Sequence, residues 1–305
     1  MSSLTDTSTG AVPLPQDGGD RIVHGAVHLD VTRRDTSLEF WRDAVGLTLL
    51  DDDGERLVLG AGERPLIVLH PGAQRPMPKG VAGLYHLAIH MPTPEEFART
   101  IVRLAEARVG QAPTDHIFSM ATYATAPDNL GLEITLETPE RMRSFSVHGR
   151  DIRLIDDQGN ARGPVEALDV DAVMTRLPDI PAADSVTSGA FIGHVHVHVG
   201  DLPAAVGFYR DVIGFDEHMV MPDWGMADLT AGGRFPHRMA ANTWMGPGVL
   251  QAPAGTAGSA RVRAAIPGRG DVAGRPRPAA AAGAVDGDLV TDPAGNRIRV
   301  GVRTA

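Results

Sequence analysis

Apolar and polar residues alternate along 27–31 and again along 195–199, the period of a strand with one buried face. Each stretch leads into an apolar stripe at helical spacing, Leu38, Trp41 and Val45 in the first case and Ala205, Phe208, Tyr209 and Val212 in the second. Gly46 and Gly214 stand where such helices would stop. A single offset of 168 residues aligns the two segments without a gap and sets His28 on His196. Behind the first helix, short apolar runs at 47–50, 56–59 and 65–69 are separated by turn residues such as Asp52-Asp53-Gly54. The repeating unit is therefore β-α-β-β-β, and the chain is expected to be an α+β protein made of such units.

A second copy of the unit opens at Gly83, with a strand over 84–89. Thr93-Pro94-Glu95-Glu96 combines an N-cap, a proline at the first helical position and a Glu three residues after the cap, which predicts a helix running to about Arg108. Strands are expected near 117–118, 121–126 and 131–136, with Pro127-Asp128-Asn129 as the last turn. Residues 21–138 are thus expected to pack two units as one domain, and 139–188 read as a connector with a short helix over 169–177. A second, degenerate domain spans 189–305, because 252–284 is dominated by Ala, Gly, Pro and Arg before strand–turn–strand patterning resumes at 288–300.

Composition narrows the chemistry. The chain has no cysteine, which excludes thiolate catalysis, disulfides and Cys-based zinc sites. A formal net charge of −10 argues against nucleic acid as a partner. Residues 1–20 are rich in Ser, Thr, Gly and Pro and read as a disordered leader and not a signal peptide. No apolar run approaches the roughly 18 residues that span a bilayer, so a cytoplasmic protein is expected.

His28 and His86 lie in the first strands of successive units, and Glu133 lies in the closing strand of the second. Their same-face neighbours are small: Ala26, Ala88, Gly131 and Thr135. Two imidazoles and a carboxylate form the facial triad that suits non-haem Fe(II) and leaves positions open for substrate and dioxygen. On spacing alone, strand histidines are as readily structural as ligating.

The strand Val27-His28-Leu29, the segment 83–89, Thr114-Asp115-His116-Ile117-Phe118-Ser119 with Tyr123, and 127–134 together resemble the vicinal-oxygen-chelate superfamily. So do 193–199 and Ala241-Asn242-Thr243-Trp244, and within that superfamily the likeness is to two-domain catechol 2,3-dioxygenase-like proteins. The resemblance implies paired βαβββ units forming two domains, the first carrying the metal site. It sets two of the family's iron ligands on His86 and Glu133. The first-strand ligand position is occupied here by Ala26 and in the later copy by His194, so His28, on the same strand face, is taken as its substitute. His116 resembles a histidine that sits behind the ligands and Tyr123 a tyrosine that bonds the substrate's oxygens; His70 is a further acid–base candidate.

What this implies is an extradiol dioxygenase of aromatic hydrocarbon catabolism, using Fe(II), or Mn(II), with a catechol and O2. A glyoxalase-like isomerase or transferase, and a metal-free binding protein of the resistance type, stay open as alternatives. The second half closes on Arg299 where the first has Glu133, and a guanidinium has no lone pair for a cation, so that half is expected to be a structural pseudo-repeat. His194, His196 and His198 share one strand face there, with His237 as a neighbour, and are expected to line a core or cavity. Exposed strand edges would allow homo-oligomers.

Overall fold

The computed structural model describes residues 12–13, 19–175, 185–186, 188–266 and 289–302. After the two-residue pairing β1 (Val12–Pro13), the first unit comprises β2 (Val23–Val31), α1 (Arg34–Leu38), β3 (Thr48–Asp52), β4 (Leu57–Ala61) and β5 (Arg64–Pro71). The second comprises β6 (Gly83–His90), α2 (Pro94–Glu106), β7 (Gln111–Asp115), β8 (Ser119–Ala126) and β9 (Leu130–Glu137). Next come a hairpin, β10 (Met142–His148) and β11 (Asp151–Asp156), two short strands, β12 (Ala161–Arg162) and β13 (Glu166–Ala167), and α3 (Val170–Thr175). The third unit is β14 (Phe191–His198), α4 (Leu202–Phe208), β15 (Asp216–Met221), β16 (Met226–Thr230) and β17 (Met239–Asn242). A last unit supplies β18 (Gly258–Ile266), β19 (Leu289–Thr291) and β20 (Arg297–Val302).

The helices form where their ends are chemically marked. Thr93 caps α2 by accepting from the Glu96 N–H at 3.2 Å, with Pro94 behind it; such a cap stabilises by about 1 kcal/mol. Asp201 does the same for α4 through the Ala204 N–H at 2.9 Å. Both repeat helices continue into a π-helical turn, Glu39–Ala44 in one and Tyr209–Ile213 in the other. Gly46 (φ 92°) and Gly214 (φ 101°) then turn the chain out through the left-handed region.

The sheets assign the units to one another in an order that local patterning does not reveal. One sheet of seven strands runs β19-β20-β18-β2-β5-β4-β3 and joins the first unit to the last. The other, of nine strands, runs β13-β7-β8-β9-β6-β14-β17-β16-β15 and joins the second unit to the third. The expectation that residues 21–138 pack two units as one domain is therefore corrected: β6 pairs antiparallel with β14, Ala88 opposite His194, 106 residues further along the chain. Strand 117–118 is corrected too. Ile117 has φ 69°, so that apolar pair forms a turn, and the strand lies earlier, in β7.

Val27 and Leu29 of one sheet and Leu87, Val195 and Val197 of the other belong to a single buried core, together with Trp41, Phe97 and Tyr209 from the helices. Alternation then sends His28 and the histidines of β14 to opposite outer faces of this two-sheet sandwich. The segment expected to be a mere connector roofs the outer face of the nine-stranded sheet. Phe145, Val147, Ile152 and Leu154 of its hairpin cluster with Ile117 near one sheet edge and with Met219 and Met221 of the opposite edge strand.

Candidate metal centre

Three buried side chains meet under that roof. His86 comes from β6, Glu133 from β9 and His194 from β14, and each is less than 5% exposed. Glu133 Oε2 is 3.0 Å from His86 Nε2 and 3.0 Å from His194 Nε2, and the two Nε2 atoms are 3.2 Å apart. Bonds of about 2.1 Å meeting at right angles would place three ligand atoms about 3.0 Å from each other. The triangle has the size of one face of an octahedron, so the donor set fits a divalent cation held facially.

Electrostatics agree. Burial alone would raise the Glu133 carboxyl, but His194 and then His86 hold it well below the usual carboxylate range, so it is ionised. Burial drives His194 well below the ordinary histidine value in spite of Glu133, so its ring is neutral and offers a lone pair. Thr135 donates its hydroxyl to Glu133 Oε1 at 2.9 Å, which leaves Oε2 for the cation. The backbones close up tightly to allow this. A Cβ on Gly131 would lie 1.9 Å from the Tyr85 carbonyl oxygen, so only glycine admits the β6–β9 approach beside Glu133.

A register shift in β6 between the His86 and Leu84 pairings leaves Tyr85 as an extra residue. Such a bulge re-aims a side chain: the Tyr85 ring packs 4.7 Å from His86 and 4.9 Å from both His196 and His198.

Of the residues singled out in the sequence, the structure brings His86, Glu133, His116 and Tyr123 together. His116 donates from Nδ1 to the Pro164 carbonyl at 2.8 Å, so its Nε2 accepts from the Tyr123 hydroxyl at 2.9 Å. The Tyr123 ring lies 5.5 Å from His86. Burial, then the Glu133 charge, pushes the Tyr123 phenol well above its usual value, so it remains a donor. The left-handed Ile117, an unfavourable conformation for a β-branched residue, holds His116 in this position.

His28 and His70 are not brought there. They pair with each other on the seven-stranded sheet, His28 Nδ1 to His70 Nε2 at 2.8 Å with rings nearly parallel. The place expected for His28 is taken by His194, because β6 pairs with β14 and not with β2.

His237 stands beyond the expected set. Its ring centre is 4.2 Å from that of His194, its Nδ1 is 2.9 Å from Asp228 Oδ1, and its buried Nε2 has no hydrogen-bond partner among the described residues. Burial lowers its pKa, but the charge of and bond to Asp228 outweigh this and raise it. Glu133's counterpart in the third unit, set beside His198 in β17 as Glu133 is set beside Ala88 in β9, is the amide Asn242 and not a second carboxylate.

No helix of the described residues is long and apolar enough to cross a membrane. In sequence, residues 22–136 and 191–243 match the family described as the Glyoxalase/Bleomycin resistance protein/Dioxygenase superfamily. A relative named catechol-2,3-dioxygenase, from Bacillus subtilis (strain 168), is 31% identical over 238 residues, covering 77% of this chain and 79% of that protein. A crystal structure of a proposed dioxygenase from Bacillus subtilis subsp. subtilis str. 168 superposes with a TM-score of 0.53 at 13% identity, covering 93% of this chain and 86% of that one. A mutant glyoxalase I from Zea mays gives 0.51 at 15%, covering 93% and 94%. At these identities the structural likeness speaks for the fold alone.

Proposed function

Because this chain belongs to the glyoxalase/bleomycin resistance protein/dioxygenase superfamily, we propose that it is an Fe(II)-dependent extradiol dioxygenase acting on a catechol. The observation that carries the reading is the triangle of His86, Glu133 and His194, with its edges of 3.0, 3.0 and 3.2 Å and its single carboxylate. A divalent iron held there would supply Lewis acidity toward two vicinal oxygens and an electron path to dioxygen. Mn(II) suits the same ligands.

The protein's own groups account for the rest. One carboxylate leaves one positive charge on a dication, which a catechol monoanion neutralises, so binding requires the loss of one hydroxyl proton. His237 Nε2, polarised from behind by Asp228, is the group placed to take that proton and to return it during ring opening. Tyr123, kept protonated with its hydroxyl hydrogen on His116, offers an oxygen lone pair to the remaining hydroxyl of the bound substrate. The hairpin over β10 and β11 excludes water. The carbon–carbon bond beside the diol breaks, both oxygen atoms of O2 enter the product, and the electrons come from the ring, so no external reductant is needed. The product is a hydroxy-semialdehyde.

Asn242 at the position opposite Glu133 favours this over a glyoxalase-like isomerase, a class that usually adds a fourth protein ligand, often a second Glu. Anaerobic loading with Fe(II), followed by catechol and air, is expected to consume oxygen and give a yellow product. Protein that takes up neither iron nor manganese, or that stays colourless across a panel of catechols, would sink the proposal.

A further inference from the structure

Behind His194 a second buried histidine continues away from the triangle. His90 Nε2 is 2.9 Å from His194 Nδ1, and His90 Nδ1 is 2.7 Å from Glu137 Oε1. We propose that Glu137 and His90 are positioning residues that select the tautomer and the aim of His194, and thereby set the metal affinity of the site. The inference rests on reading His194 as a ligand.

Each link in the chain has only one arrangement. Glu137 is held as a carboxylate, at a pKa of about 2, because His90 and Arg238 outweigh the effect of its burial. A carboxylate only accepts, so the His90 proton must sit on Nδ1. A neutral His90 then has only an acceptor at Nε2, and His194 must donate to it from Nδ1. His194 Nε2 is left as the bare lone pair that faces Glu133 and His86. The reverse arrangement would put a proton on His194 Nε2 and close the site.

The surroundings are built to keep this order. His90 is fully buried, and Phe235 and Phe191 stand 5.0 and 5.4 Å from its ring. Gly193 leaves the space that ring occupies, since a Cβ there would lie 2.0 Å from His90 Cδ2. Arg238 bonds Glu137 from the far side, is itself tied to Asp20 at 2.8 Å, and stacks 4.7 Å over Phe235. The other imidazole of the triangle has no such support, for His86 Nδ1 is buried without a hydrogen-bond partner among the described residues. His194 is therefore the anchored ligand and His86 the adjustable one.

The test uses Co(II) as the probe on the full chain, comparing the native protein with Glu137→Gln and His90→Phe. Removing such an outer partner typically weakens metal affinity by about 10–100-fold, and that loss is expected in both variants, with melting of the metal-free protein little changed for Glu137→Gln. In the Co(II)-loaded native protein the His194 Nδ1 proton is expected as a shifted, slowly exchanging NMR signal. It should exchange rapidly, or vanish, in His90→Phe. If the native chain takes up no Co(II), the ligand reading itself fails. If it binds Co(II) and Glu137→Gln binds equally tightly with the same exchange, the relay is overturned while the site stands. Glu137→Gln keeps the shape of the side chain at a partly exposed position, so it decides the matter even if His90→Phe does not fold.

Discussion

His196 faces His86 directly across the β6–β14 ladder, ring centres 5.0 Å apart, yet it is closed to a cation at the triangle. Its Nε2 accepts from Asn242 Nδ2 at 2.8 Å, and Asn242 Oδ1 in turn accepts from His198 Nδ1 at 2.7 Å. One amide thus occupies two of the three histidines on β14, and the third, His194, is left to the triangle with His86 and Glu133. Asn242→Ala would strand two buried imidazole nitrogens. Each such orphan costs about 1–3 kcal/mol, so urea unfolding of the metal-free variant is expected to show a loss in that range. An unchanged midpoint would contradict the network.

The position of His28 separates two ligand sets in one experiment. His194→Ala is expected to abolish tight iron or manganese binding, whereas His28→Ala, which removes the pair with His70 on the other sheet, should bind one equivalent per chain like the native protein. Metal analysis after dialysis distinguishes the two outcomes, and loss of metal in His28→Ala would restore the ligand expected from the sequence.

Proton handling should separate from metal binding. His237→Gln is expected to lower kcat by about 10²–10⁴-fold, the usual worth of a placed acid–base group, with iron content unchanged. Tyr123→Phe removes one hydrogen-bond acceptor for the substrate, for which about tenfold to a hundredfold in kcat/KM is expected. Oxygen-electrode kinetics on the iron-loaded variants would check both; a variant that loses iron in parallel with activity would refute its assigned role.

Acid should loosen the roof before it reaches the ligands. His218 packs 4.9 Å from Phe145 of the hairpin, with both ring nitrogens buried and without hydrogen-bond partners among the described residues. Burial lowers its pKa from 6.5 to about 4, the Asp228 charge opposing and His237 adding slightly to the shift. The folded value is the lower one, so its neutral form contributes fully above pH 6.5, and that contribution is withdrawn as pH falls toward 4. The loss is about 2–3 kcal/mol by the worth of a pKa unit. Thermal melts from pH 7 to 4 should fall less steeply in His218→Phe than in the native chain; parallel curves would exclude His218 as the cause.

Much of this was legible in the chain because the signals are local. Thr93 and Pro94 mark a helix start, Gly46 and Gly214 mark stops, and alternation marks β2, β6 and β14. His86 and Glu133 could be found because they belong to one unit. The third member of the triangle, His194, could not, since sheet partners are chosen by the packing of whole units and not by any short pattern. The signal for it was nevertheless present: where the first copy has Ala26, the later copy has His194. Ile117 misled for another reason, because a β-branched residue followed by Phe118 reads as strand when tertiary contacts have forced it into a left-handed turn. The hairpin over 142–156 was missed although Phe145, Val147, Ile152 and Leu154 alternate with polar residues along its two strands.

The triangle draws its side chains from both sides of the segment that separates Glu137 from Phe191. Were the chain severed in that segment, the triangle would become a meeting point of two fragments, and its assembly would depend on their concentration. Intact, the same segment keeps the fragments at a fixed effective concentration, set by its length and by the hairpin it carries. A covering element thus also acts as the tether that makes assembly of the triangle a property of a single molecule.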